Sequence, residues 1–304
     1  MYVIPDDFRR EIVALHGEEG RAWLARLPTI LASCEERWNL TISPPFSGLS
    51  FNYVAPAVRH DGTEVVLKVC ALTDEFPYQP EALRLFDGRG MVRLLDCEPM
   101  DEVMLLERLS PGTLLRSVQD DEEATSCMVS IMRQMWRPVA QEHPFKTVQD
   151  WGKGFTRLRQ RYGGGTGPFP GALLEEAETL YAELSASMAE PVLLHGDLHH
   201  DNILAAERQP WLAIDPKGLV GEPAYETGAW LRNPMPQLLE MPQPGRILAR
   251  RVDQLADELG FERARVRGWG LAQAMLSAWW GMEDSGELSE FAITCAELLA
   301  AIRP

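Results

Sequence analysis

The residues with the clearest chemical potential lie in one short stretch, His195-Gly196-Asp197-Leu198-His199-His200-Asp201-Asn202-Ile203-Leu204, followed by Leu212-Ala213-Ile214-Asp215. Asp197 precedes Asn202 by five positions, and twelve residues separate Asn202 from Asp215. Those twelve suit a hairpin: strand 203–206, a turn over 207–210 carrying Gln209-Pro210, and strand 211–214. With Ile203 opposite Ile214, Asn202 and Asp215 stand side by side at the open end, and Asp197 enters the same end on a loop. An amide oxygen and a carboxylate suit Mg²⁺, which keeps several waters and binds substrate phosphates. The remaining carboxylate, Asp197, is then placed to orient a hydroxyl and accept its proton.

Other segments extend this reading. Lys68 is a charge inside the apolar run Val65-Val66-Leu67-Lys68-Val69, costly unless paired. Glu81, thirteen residues on at the start of a helix, is the candidate partner, with Glu75 the alternative. Lys68 would hold nucleotide phosphates. The turn Phe46-Ser47-Gly48-Leu49-Ser50-Phe51-Asn52 can cover phosphates with backbone N–H groups, with Ser47, Gly48 and Ser50 as contacts. It carries a single glycine, so it says little alone. Glu107 to Leu109 offer backbone groups to an adenine ring.

These elements need a scaffold, and the sequence outlines one. The first forty residues read as helical, with Asp6 or Asp7 as a cap, Phe8, Ile12 and Leu15 on one face, and Pro28 dividing the later stretches. Residues 41–69 are strand-like and turn-rich, with a hairpin signal at Asp61-Gly62. A short helix follows in PEALRLFDG, then the strands MVRLLDCE and EVMLLERL. Beyond Ser110-Pro111-Gly112 long helical patterns dominate: 122–136, 171–188, 247–259, 262–282 and 288–302. The expected organisation is an N-lobe over 1–109 and a helical C-lobe over 110–304 that carries the catalytic loop, the metal-binding Asp and the acceptor pocket.

His195-Gly196-Asp197 to Asn202 with a following Asp215 matches the kinase catalytic-loop pattern. The chain resembles the aminoglycoside phosphotransferase branch of the protein-kinase-like fold, and is most similar there to the streptomycin 6-phosphotransferase and hydroxyurea phosphotransferase (aminoglycoside/hydroxyurea antibiotic resistance kinase) family. EALRLFDGRGMVRLLD, MLLERLSPGTLL, LLHGDLHHDNIL and AIDPKGLVGEPAYETGAWLRNP carry the resemblance, from about Phe46 to Trp280. It implies an α+β, two-lobed fold with a small mixed β-sheet N-lobe and a larger, mostly helical C-lobe. It also implies ATP bound between the lobes, Asp197 as catalytic base, Mg²⁺ on Asn202 and Asp215, a Lys68–Glu81 pair at the phosphates, adenine on the 107–109 backbone, and a structural His195. Glu226 stands where most relatives of the branch place a loop-bracing Asp, which puts that brace in question by one methylene. His200-Asp201 replaces small residues, and Pro216-Lys217 follows the metal Asp where protein kinases have Phe-Gly.

Composition narrows the partners. With 29 Lys+Arg against 45 Asp+Glu, the net charge of −16 disfavours nucleic acid and anionic membranes and suits a cationic small-molecule acceptor. The longest mostly apolar run, 268–282, is 15 residues, short of a membrane span, and no signal-peptide pattern opens the chain. Five scattered cysteines without a CxxC read as reduced thiols in a cytoplasmic protein, monomeric or dimeric. A zinc-hydrolase reading of the histidine cluster lacks later histidine ligands, since none follows His200. Two alternatives stay open: a kinase for an unrelated metabolite (choline, sugar and fructosamine kinases share the core residues) and a non-catalytic nucleotide-binding module. Trp279, Trp280, Glu283 and Asp284, with Glu222, Asp150 and Trp151, are the candidates for the acceptor pocket.

Overall fold

The computed structural model describes residues 2–72 and 75–303. They divide into two compact units, Met1–Gly112 and Thr113–Pro304.

The first unit is a five-stranded antiparallel sheet backed by a long helix, α1 (Asp6–Trp38). The strands are β1 (Leu40–Ile42), β2 (Asn52–Arg59), β3 (Glu64–Cys70), β4 (Leu94–Glu98) and β5 (Val103–Glu107), in the order β1-β2-β3-β5-β4. Strand alternation sends Val65, Leu67 and Val69 of β3 into a core with Phe8, Ile12, Leu27 and Leu31 of α1. Lys68 lies at an alternate position of the same strand, opposite Val54 and Met104. The Asp61-Gly62 turn forms as expected, with Gly62 at φ +86° and Arg59 N–H donating to Thr63 O at 2.9 Å. The break in α1 differs from expectation. It falls at Gly17 (φ 57°, ψ −124°), while Pro28 is carried inside the helix. Glycine takes a left-handed backbone without a Cβ penalty, so Gly17 supplies the corner. Helix α2 (Gln79–Phe86) has its proline in the first turn, where no N–H is needed.

The second unit is mostly helical: α3 (Asp121–Met135), α4 (Val148–Arg161), α5 (Gly171–Ala186), α6 (Thr227–Leu231), α7 (Gln237–Glu240), α8 (Pro244–Leu259), α9 (Arg263–Ser285) and α10 (Glu290–Ala300). Helix α9 is the axis, buried almost all round from Val266 to Met282, as a helix packed on every side must be. Helix α4 escaped the sequence reading because VQDWGKGFTRLRQR carries two glycines. A capping box between Thr147 and Asp150 starts it, and Phe155 and Leu158 are buried.

Short strands in this unit frame the motif. β6 (Pro111–Leu114) contains the division between the units, and β7 (Arg137–Pro138) and β8 (Lys146–Thr147) follow. β9 (Val192–Leu194) runs directly into His195, β10 (Ile203–Ala206) and β11 (Trp211–Ala213) form the hairpin, and β12 (Leu219–Gly221) returns beside β9 with Leu219 opposite Leu194. The hairpin register is one residue off the expected one: Ile203 faces Ala213, and Ile214 N–H donates to Asn202 O at 2.9 Å. Asp215 therefore lies one step beyond direct opposition to Asn202, in a left-handed conformation at φ 62°. Asp accepts that conformation more readily than most residues. Among the described residues no helix is long and apolar enough to cross a membrane. All five cysteines are free thiols; Cys34, Cys70 and Cys295 are buried and Cys97 and Cys127 half-buried.

Candidate active site

The loop between β9 and β10 is held by backbone bonds and buried side chains. Gly196 has φ +87°, and a Cβ there would lie 3.2–3.3 Å from Lys217, Leu219 and Trp151, so glycine alone fits. The fully buried His195 ring lies 2.7 Å through Nε2 from Ile214 O and accepts the Asp197 N–H at Nδ1 (3.2 Å). Burial pushes its pKa down to about 4, so it stays neutral. The expected structural role for His195 matches these contacts.

Glu226 supplies the brace despite its extra methylene. Its carboxylate accepts His195 N–H at 2.6 Å and Gly196 N–H at 2.9 Å. Burial raises its pKa to about 7, and the two N–H groups pull the other way. Glu226 ends the short helical turn Pro223–Glu226 and is itself buried, which fixes where its carboxylate meets the loop.

Asp197 is flanked by positive and polar groups. Arg232 Nη2 lies 3.4 Å from Oδ1 and His199 Nε2 3.6 Å from Oδ2. Burial alone would raise the Asp197 pKa; His199, Arg232 and Lys217 together hold it well below the carboxylate range. His199 accepts the Asp201 N–H at Nδ1 (3.2 Å). Its Nε2, 3.6 Å from Asp197 Oδ2, also lies 3.3 Å from Asn202 Nδ2, so one imidazole touches both residues. Asn202 Nδ2 donates to Asp197 O at 2.9 Å, which leaves Oδ1 as an unengaged acceptor. Asp201 pairs with Arg116. His200 stacks on Trp230 with centroids 3.7 Å apart, and burial lowers its pKa to about 2. With His195 bonded internally and His200 packed on an indole, the histidine cluster is not a zinc ligand set.

In the first unit Lys68 is buried, and its Nζ donates to Gln79 Oε1 at 3.1 Å. Glu81 is not its partner. The Glu81 carboxylate is half-exposed and pairs with Arg84 one turn along α2. Residue 79, two positions earlier, points to the sheet, while position 81 points to solvent, as the 3.6-residue period demands. Ser47, Gly48 and Ser50 lie in an exposed loop closed by a Phe46 N–H to Val54 O bond of 3.0 Å, with Gly48 at φ +71° and open space where a Cβ would stand. Arg108 lies over the Phe46 ring at 4.7 Å. Glu107 N–H is donated to Arg93 O at 3.0 Å, whereas Leu109, beyond the strand, makes no backbone hydrogen bond among the described residues.

Most of the expected acceptor-pocket residues have other work. Trp279 is core, packed on Phe169 and Tyr162. Glu283 takes a bidentate bond from Arg157 (2.7 and 2.8 Å). Glu222 is buried on Arg265 and Trp269, and Asp150 caps α4. Trp151, Trp280 and the exposed Asp284 remain; the two indoles lie edge to face at 5.2 Å, with Trp151 beside Gly196 of the loop.

The sequence reading missed Arg232 and the partners of the loop, Arg116 and His199. The charge-in-an-apolar-run argument that singled out Lys68 applies equally to Arg232 in Gly228-Ala229-Trp230-Leu231-Arg232.

Comparison with known proteins identifies the family. The profile described as aminoglycoside/hydroxyurea antibiotic resistance kinase matches residues 37–285. A streptomycin 6-kinase of Streptomyces glaucescens is 34% identical over 97% of this chain and 96% of its own length. A hydroxyurea phosphotransferase of Kitasatospora aureofaciens is 34% identical, over 93% of this chain and 82% of its own. Among solved structures, aminoglycoside phosphotransferase APH(4)-Ia, in a ternary complex with ADP and hygromycin B, superposes with a TM-score of 0.63 at 15% identity, covering 89% of this chain and 96% of that one. Choline kinase LicA of Streptococcus pneumoniae gives 0.59 at 12% identity, over 90% and 98%. These two share the kinase-like fold expected from the sequence. With the Asp197 loop, its Glu226 brace and a profile match across most of its length, this chain belongs to the aminoglycoside/hydroxyurea antibiotic resistance kinase family.

Proposed function

We propose that the protein transfers the γ-phosphoryl group of ATP to an alcohol hydroxyl of a small molecule, with a streptomycin-like aminoglycoside as the preferred acceptor and hydroxyurea as the second. The observation that carries the reading is the braced loop presenting Asp197 and Asn202 together. The net charge of −16 favours a cation over neutral hydroxyurea, and the Trp151–Trp280 pair beside Gly196 offers aromatic faces to a guanidinium.

The new bond joins the acceptor oxygen to Pγ. The bond from Pγ to the bridging oxygen breaks, its electron pair leaves with ADP, and the hydroxyl proton passes to the Asp197 carboxylate. A carboxylate held ionised, with His199 and Arg232 fixing its oxygens, orients the hydroxyl. The residues present fit a divalent ion: the amide of Asn202 is fixed through Nδ2 with Oδ1 unengaged, and Asp215 follows the hairpin. Mg²⁺ held by Asn202 and Asp215 would supply charge neutralisation on the phosphates. Lys68, oriented by Gln79, takes nucleotide phosphates; Ser47, Gly48 and Ser50 cover them; Leu109, rather than Glu107 N–H, offers backbone groups to adenine.

ADP release from MgATP, measured separately with streptomycin, other aminoglycosides and hydroxyurea, tests the reading. Streptomycin-dependent turnover that disappears in Asp197→Ala supports it. Nucleotide binding with no turnover on any acceptor overturns it in favour of a non-catalytic binder or another substrate.

A further inference from the structure

Arg232 follows α6, and its side chain is 14% exposed. Its one side-chain hydrogen bond among the described residues is the 3.4 Å approach of Nη2 to Asp197 Oδ1, and its Nε is buried with no hydrogen-bond partner. A guanidinium has five N–H donors, and burying one with a single long ion pair is unfavourable unless an anion completes it.

The surrounding fold is built to hold it there. Arg251, fully buried, donates to Trp230 O at 3.0 Å and Asn233 O at 2.5 Å, the carbonyls on either side of the Leu231-Arg232 step. Arg251 is itself fixed by Asp121, bonded at 3.0 and 2.5 Å. Burial would raise the Asp121 pKa, but Arg251 and Arg250 hold it below the usual range, so the brace stays charged. Asn233 Nδ2 adds a bond to Ala229 O at 2.9 Å. A rigid segment presenting under-used donors beside a reactive carboxylate is preorganised for negative charge.

We propose that Arg232 binds the phosphoryl group in flight, its unused N–H donors taking non-bridging oxygens while Nη2 stays near Asp197. This rests on the phosphotransfer reading above. Arg232 forms and breaks no covalent bond; it neutralises charge on the transferring group next to the oxygen that attacks it.

The test uses the full-length chain with Arg232→Met and Arg232→Lys, each first matched to wild type by thermal melting. Two quantities are read: kcat and KM with streptomycin, and the Mg²⁺-dependent affinities for AMP-PNP and ADP by calorimetry. The expected result is a kcat loss of about 10²–10³-fold in Arg232→Met with acceptor KM little changed. AMP-PNP affinity falls about tenfold while ADP affinity holds, and Arg232→Lys recovers part of both losses because it keeps charge without the fork. An AMP-PNP to ADP affinity ratio equal to wild type in Arg232→Met overturns the proposal, even if kcat falls, since Arg232 would then only position Asp197. Wild type turning over none of the acceptors defeats the functional reading instead, and the affinity ratio still decides the role of Arg232.

Discussion

Lys68 and Asp197 are both candidate site charges, yet the two units hold them differently. In the first unit Lys68 donates to the Gln79 amide, and Ser47, Gly48 and Ser50 are exposed in a loop whose Leu49 packs on the core. In the second unit Asp197 sits on a loop anchored by a buried carboxylate and a buried imidazole, beside an Arg232 whose flanking carbonyls Arg251 fixes. A group that receives a mobile polyphosphate needs charge and room. A group that aligns a hydroxyl for in-line transfer needs fixed geometry, because small misplacements cost large factors in rate. The loop accordingly rests on two fully buried ionisable groups, His195 and Glu226.

Substitution of Asp197 by Asn gives the largest effect. The kcat falls about 10²–10⁴-fold while nucleotide affinity stays within a few-fold, read by coupled ADP release and calorimetry. Comparable rates in mutant and wild type would remove Asp197 from the chemistry. Glu226→Ala comes next. It orphans the buried His195 and Gly196 N–H groups and costs about 3 kcal/mol in urea denaturation, with a fall in kcat. Unchanged stability would show that the brace carries no load.

The first unit responds through affinity. Lys68→Met raises the KM for MgATP about tenfold and Gln79→Leu raises it by less, whereas Glu81→Ala changes it under about twofold, because an exposed i,i+3 pair contributes little. A Glu81→Ala effect as large as that of Lys68→Met would reinstate the pair expected from the sequence.

The pH dependence of stability tests the buried histidines of the same loop. Burial pushes the pKa of His195 down to about 4 and that of His200 down to about 2, from the ordinary 6.5. Their contribution is complete above pH 6.5 and is lost as pH falls toward those values, about 3 kcal/mol for His195 alone. Glu226, raised to about 7 by burial, acts oppositely: its contribution is present below about 4.5 and is lost as pH rises through 7. His200→Phe keeps the stack on Trp230 and flattens the acid limb measured between pH 6.5 and 4.5. An unaltered limb would mean that His200 does not titrate on unfolding as argued.

Much of the site was legible because it is local. Asp197, Asn202 and Asp215 fall within nineteen residues joined by a hairpin, so sequence spacing alone brings them near one another. The one-residue register difference was not legible, since Ile214 bonds back to Asn202 O and the left-handed Asp215 absorbs the slack. The Lys68–Glu81 pair was misjudged for a related reason. Both Gln79 and Glu81 begin α2, and only the rotation of that helix against the sheet decides which side chain faces inward. Helix α4 was hidden by its glycines, whose low propensity tertiary packing overrides.

The sequence by itself determined the identity and order of the reacting groups, the strand-rich first part and helical remainder, and the hairpin that gathers Asp197, Asn202 and Asp215, because short-range periodicity and turn chemistry act over a few residues. Tertiary structure alone decided that Glu226 reaches the loop despite its extra methylene, that Arg251 fixes the carbonyls around Arg232, and that Arg232 comes to Asp197 from thirty-five positions away. Those contacts depend on how helices pack within the second unit, and no local pattern encodes a distance across a packed core.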